Sequence, residues 1–179
     1  MVTVQRRARM RFSRRDGLPR GFGSFAVLEA EDAAFGLLPV AEPDSYYRAR
    51  RLQQLRIEGR HAALTPLDGP VKVVLYAMSC QESTLAEDLD RLETVARDRG
   101  WQVVRRYTDT SADAEPVLRP GWQQARGDAG SGLAHGILAV DRRAVSRADE
   151  PYERELRWLG ERLTFLELLA PETAMEATR

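Results

Sequence analysis

The sequence predicts an α/β domain: a mainly parallel sheet of four or five strands flanked by helices, preceded by an N-terminal extension. Three observations carry that expectation. Strand-like and helix-like stretches alternate beyond Pro70, the strand-like stretches are short continuous apolar runs, and glycine or proline stands at several of the junctions. Continuous apolar runs, as opposed to alternating ones, mark strands buried on both faces, which a parallel sheet covered by helices requires.

Residues 71–77 are a β-branched apolar run, short enough for a buried strand. Residues 85–99 follow with Leu85, Leu89, Leu92, Val95 and Ala96 at helical spacing, and Gly100 stops that helix. Residues 101–107 form a second strand, residues 120–126 a short helix and residues 135–140 a third strand. Residues 151–162 read as a helix with Pro151 near its first turn and Tyr152, Leu156 and Leu159 on one face. Residues 163–169 are the fourth strand. Trp101, Trp122 and Trp158 are expected to anchor the core, His135 to be an edge or core residue and His61 to lie on a helix surface.

Upstream the character changes. Residues 1–20 hold seven arginines and one acid, Asp16, and lead into Gly21 and Gly23, which is the composition of a basic arm. Residues 24–30 suit a short strand, and residues 36–43, interrupted by Pro39 and Pro43, a loop. Residues 46–64 carry Tyr47, Leu52, Leu55 and Ile57 among arginines, an amphipathic helix closed by Pro66 and the Asp68-Gly69-Pro70 turn. The expected organisation is residues 1–45 as basic arm and irregular extension, 46–69 as helix and linker, 71–170 as the α/β domain and 171–179 as a tail.

Composition narrows the function classes. Of 179 residues, 43% are hydrophobic and 30% charged, which is globular and not disordered composition. Basic and acidic residues balance at 27 each, so any affinity for nucleic acid has to be local and not a property of net charge. The single cysteine, Cys80, excludes an intramolecular disulfide, and with His61 and His135 it falls short of a structural zinc set. No cofactor and no metal are expected. No secretory apolar stretch follows the basic N-terminus and no run is long enough to span a membrane, so a cytoplasmic protein with no membrane partner is expected.

In parallel sheets functional groups gather in the loops beyond the carboxyl ends of the strands. Here those loops carry Met78, Ser79, Cys80 and Gln81; Asp109, Thr110 and Ser111; and Asp141, Arg142, Arg143, Ser146 and Arg147.

The stretches VVLYAMSCQES, GWQVVRRYTDTSA, LRPGW, HGILAVDRRAVSR and RLTFLELL, in this order, resemble the catalytic domain of the serine recombinase (resolvase/invertase) family. The resemblance spans residues 71–170 and implies a resolvase-like fold. It also implies DNA strand exchange, in which a serine attacks a phosphodiester while arginines hold the phosphate and stabilise the transition state. Aligned without gaps, Tyr76 falls on the family's tyrosine, Asp109 on its aspartate and Arg119 on the arginine of its Arg-Pro pair. Met78 stands where the family has arginine and Cys80 where it has the nucleophilic serine. Arg147 keeps the last arginine of the family's Asp-Arg-x-x-Arg pattern, but Arg143 and Ala144 then fall on its aspartate and middle arginine. A one-residue gap instead makes Ser79 the nucleophile, or brings Asp141 and Arg142 onto the Asp-Arg pair.

The catalytic candidates are therefore Cys80, Ser79, Asp109, Arg119 and Arg147, in a divergent member with a degenerate site. A buried structural thiol is the favoured reading of Cys80, and a hydroxyl satisfying its own turn is the alternative reading of Ser79. Arg119 either binds phosphate at a helix N-terminus or pairs with an acid such as Asp109 or Asp113. Candidate DNA contacts are Arg6, Arg7, Arg9, Arg11, Arg14 and Arg15 in the arm and Arg142 and Arg143 in the loop, against the alternative of solvated charge. The expected function is a DNA-recombination protein, impaired or inactive in strand cleavage, acting by binding DNA weakly and non-specifically or by binding a protein partner. Two alternatives stay open. One is an active strand-exchange enzyme using Ser79 or Cys80 with a partner that supplies dimerisation and DNA-binding parts; the other is a protein-interaction module with no nucleic-acid role. A homo-oligomer or a recombinase-like partner is the expected kind of protein partner.

Overall fold

The structure, a computed structural model, describes residues 43–110 and 115–174. The basic arm with its six candidate DNA contacts, the strand expected over residues 24–30, nearly all of the loop expected over residues 36–43, Ser111, Asp113 and the last five residues lie outside the described residues.

The chain order is α1 (Pro43–Leu64), β1 (Lys72–Met78), α2 (Glu82–Asp98), β2 (Gln102–Asp109), a 3-10 turn (Pro116–Leu118), α3 (Pro120–Gly130), β3 (Gly136–Ala139), α4 (Arg142–Val145), α5 (Asp149–Gly160) and β4 (Phe165–Leu168). The four strands form one wholly parallel sheet in the order β2-β1-β3-β4. The expected strand and helix order is thus met, with strand ends moved by one or two residues and the short α4 added.

Burial explains why the strands read as unbroken apolar runs. Along β1, Val74 and Tyr76 face the side covered by α3 and α5, packing with Trp122, Ala125, Tyr152 and Leu156. Val73, Leu75 and Ala77 face the opposite side, against Leu85, Leu92 and Ala96 of α2. At roughly 2 kcal/mol for each buried large side chain, these two apolar layers are the main favourable term of the fold.

α1 belongs to the same compact unit as the sheet and packs on α5 and β4. Its buried face is Ala49, Leu52, Arg56 and Ala63, a heptad-like spacing of 3, 4 and 7. Tyr47 and Ile57, expected on the apolar face, are exposed. Three of the four buried positions are alanine or arginine, and so the true face was hidden among the more conspicuous apolar residues. Arg56 is buried because it is paired: it donates to both carboxylate oxygens of buried Glu172 at 2.8 and 3.2 Å, and the Tyr152 hydroxyl donates to the same carboxylate at 2.7 Å.

The tryptophans divide differently from expectation. Trp122 is fully buried, whereas Trp158 is half-buried with the guanidinium groups of Arg126 and Arg162 at 3.9 and 4.0 Å from its ring centre. Trp101 is also partly buried, edge-on to Phe165. Large amphipathic rings fill the boundary between core and arginine-rich surface as readily as the centre. His135 lies at the start of β3, half-buried, and His61 is exposed on α1.

Candidate functional site

The sheet order sets the position of the site. From β1 the chain crosses outward to β2, then back past β1 to β3, so the carboxyl ends of β1 and β3 flank a topological switch point. The two connections leave in opposite directions there, which opens a crevice. A cavity of about 380 Å³ occupies it, lined by Met78, Ser79, Cys80 and Gln81 after β1, Asp88 of α2, and Val140, Asp141, Arg143, Ala144 and Arg147 after β3.

Each lining residue has a local reason for its position. The Ser79 hydroxyl oxygen accepts the Gln81 amide at 3.1 Å, the short turn that carries the chain from β1 into α2. Cys80 is exposed, not buried as a structural thiol: it stands in the turn two residues beyond the end of β1. Asp141 caps α4 by accepting the amides of Arg143 and Ala144 at 2.8 and 3.3 Å, and its other oxygen accepts the Arg143 side chain at 2.9 Å. Asp88 bonds Arg91 at 3.3 Å; burial raises its pKa, Arg91 opposes that rise and nearby Asp141 adds to it. Arg147 is exposed and makes no ion pair among the described residues.

The cavity therefore brings together two carboxylates and two guanidinium groups, one of which is already neutralised by its neighbour. Asp88 went unnoticed in the sequence. Its signal is spacing: Leu85, Asp88 and Leu92 fall on one helical face, so an acid stands within an otherwise apolar stripe.

A second cluster lies beside the cavity, in the protein interior. The Asp109 carboxylate accepts the amides of Gly121 and Trp122 at 2.9 and 2.8 Å, capping α3, and also the Tyr76 hydroxyl at 2.9 Å. The approach needs glycine: a Cβ on Gly121 would stand 2.5 Å from the Thr108 carbonyl oxygen and 2.9 Å from the Asp109 carboxylate. Arg119, only 3% exposed, donates to the Tyr76 hydroxyl at 3.1 Å, to the Ala144 carbonyl at 2.6 Å and to the Val145 carbonyl. Burial raises the pKa of Tyr76 far above its ordinary value, with Arg119 opposing and Asp109 reinforcing the rise, so the tyrosine stays a neutral donor.

Asp109 and Arg119 thus share one network, but neither lines the cavity. Among the described residues Arg119 bonds no acid; its terminal nitrogens bond Tyr76 and the α4 backbone. Arg142 is buried as well, donating to the Arg147 carbonyl at 3.1 Å and to Asp149 at 2.7 Å. Arg143 is exposed, though paired with Asp141. Among the described residues no group of three or more His, Cys, Asp or Glu is placed to hold a metal ion, and no helix is long and apolar enough to cross a membrane.

Over 60% of its length the chain is similar to solved structures. Catalytic domains of serine recombinases are among them. The C-terminal catalytic domain of ISC1926 TnpA, an IS607-like serine recombinase, is 18% identical with a TM-score of 0.48, covering 60% of this chain and 77% of that one. The N-terminal catalytic domain of TP901-1 integrase is 21% identical with a TM-score of 0.49, covering 60% of this chain and 88% of that one. No family model matches the sequence, and no curated protein matches it. Met78 and Ala144 both line the cavity.

Proposed function

We propose that this chain is a recombinase-like, DNA-associated protein in which strand cleavage is impaired or absent, acting by binding DNA or a protein partner. The charge balance of the cavity carries this reading. A pocket that cleaves a phosphodiester has to gather positive donors around a developing negative charge, and each preorganised donor is worth roughly 3 to 4 kcal/mol. Here Asp88 and Asp141 offset Arg143 and Arg147, Met78 and Ala144 add no donor, and Arg119 and Arg142 are spent on internal bonds. Affinity for DNA falls instead to exposed arginines and to the basic arm, whose arginines release counterions without reading sequence.

One observation favours the active alternative: Ser79 and Cys80 both line the cavity, so a hydroxyl and a thiol stand within it. Trapping on nicked or suicide DNA substrates separates the two readings. The expected result is no denaturation-resistant protein–DNA adduct. An adduct that disappears in Ser79→Ala or Cys80→Ala would overturn the impaired reading and name the nucleophile.

A further inference from the structure

We infer that the N-terminal half of α1 is a contact surface for an unpaired nucleic-acid strand, held through Tyr46, Tyr47, Arg50 and Arg51. The inference rests on the reading of the chain as DNA-associated, and it assigns the contact to residues outside the cavity: none of the four lines it.

Tyr46 and Tyr47 are 48% and 66% exposed, with ring centres 6.1 Å apart and planes at 70°. Single exposed aromatic residues are unremarkable on a protein surface, but two adjacent rings beside arginines make a combined apolar and cationic face. Helical spacing places Arg50 one turn beyond both rings and Arg51 one turn beyond Tyr47. Arg50 makes no ion pair among the described residues. Arg51 is 67% exposed and reaches Glu153 of α5 at 2.8 Å, a surface pair of little stability that a phosphate can replace. From residue 43 to residue 57 the sequence holds one carboxylate, Asp44, against the exposed Arg48, Arg50 and Arg51, so the outer side of this stretch is positive on balance.

The face is also held firm from behind. Ala49 and Leu52 pack into the protein, and Arg56 is fixed to Glu172 on the buried side. The rings are thus presented by an ordered helix, and binding to them does not carry the cost of folding a segment. Tyrosine faces stack on nucleobases only where the base faces are accessible, which a duplex denies them; arginines meet phosphate in either form. An unpaired strand is therefore the occupant that uses both residue types.

The test measures binding of the full chain to a labelled thymidine oligonucleotide and to a duplex of equal length, by fluorescence anisotropy across a salt series. The Tyr46→Ala/Tyr47→Ala variant is expected to lose roughly tenfold or more in affinity for the single strand and to bind the duplex unchanged. Tyr46→Phe/Tyr47→Phe should retain the parent affinity. Arg50→Ala/Arg51→Ala should weaken both ligands and flatten the salt slope by roughly one to two. Single-strand binding that is indifferent to the tyrosine change would overturn the inference while leaving DNA association standing, with the contact elsewhere. Absence of binding to either ligand at low salt would overturn both. Altered self-association of the tyrosine variant, with unchanged strand binding, would make the face a protein interface and also overturn it. A covalent adduct in the trapping experiment would sink the impaired-cleavage reading without touching this surface.

Discussion

The Tyr76 hydroxyl and the Asp109 carboxylate meet at 2.9 Å across adjacent strands, and the same carboxylate caps α3 through the Gly121 and Trp122 amides. One side chain therefore satisfies three donors, and its loss leaves all three unpaired. Asp109→Ala is expected to cost about 3 kcal/mol, the sum of a lost helix cap and a stranded buried hydroxyl. Tyr76→Phe removes one donor only and should cost about 1 kcal/mol. Urea denaturation followed by far-UV dichroism measures both. Equal losses in the two variants would show that the cap contributes nothing.

Glu172 gives a second stability prediction, because it lies beyond the last strand and yet is almost fully buried between Arg56 of α1 and Tyr152 of α5. Breaking a buried pair from one side leaves an uncompensated charge, at roughly 3 to 5 kcal/mol. Because Arg56 keeps Glu167 at 3.6 Å, Glu172→Ala should destabilise the chain by about 3 kcal/mol, the low end of that range, and a fragment lacking residues 1–69 should be molten, since Arg56 and the α1 packing leave together. A fragment over residues 70–174 with a sharp, cooperative unfolding transition would refute the dependence on α1.

How far the sequence could be read follows from these particulars. The strands were legible because burial on both faces leaves an unbroken apolar run, as in residues 73–77. The cavity loops were legible because parallel strands point them to one edge. What escaped was any residue whose role depends on a distant partner. Arg56 and Glu172 are 116 residues apart and look like surface charges until they are paired. The bonds of Arg119 to the Ala144 and Val145 carbonyls likewise join residues 25 and 26 positions apart. Cys80 looks like a core residue by type, yet its turn sets it outside.

His135 makes stability depend on pH. Its Nδ1 accepts the Lys72 backbone amide at 3.0 Å, a bond only the ring with an unprotonated Nδ1 can make, and burial, with a smaller contribution from Lys72, lowers its pKa. A depressed folded-state pKa means that the unfolded chain takes up the proton first. This contribution to stability is therefore present above the ordinary histidine value of about 6.5 and is lost as pH falls through the lowered folded value. Melting temperature should decline over that window in the parent, and His135→Gln should remove that part of the decline. An unchanged pH profile in the variant would assign the decline to carboxylates.

The charge balance of the cavity is measurable through Cys80 itself, which is exposed at its rim and should react without denaturant. Iodoacetate and iodoacetamide differ by one negative charge, so the ratio of their rates at Cys80 reports the local potential. A phosphate-binding pocket would favour the anionic reagent strongly. With Asp88 and Asp141 opposing Arg143 and Arg147, the ratio is expected to match that of a small free thiol. Asp141→Asn then provides the decisive comparison: asparagine keeps the cap on α4, because its side-chain oxygen still accepts the amides that Asp141 holds, while Arg143 loses its counter-charge. The ratio of anionic to neutral rate should rise several-fold in this variant, the neutral reagent correcting for any change in the thiolate fraction. A ratio already high in the parent would mean that the cavity is positive as it stands, and would restore the case for a working phosphodiester site.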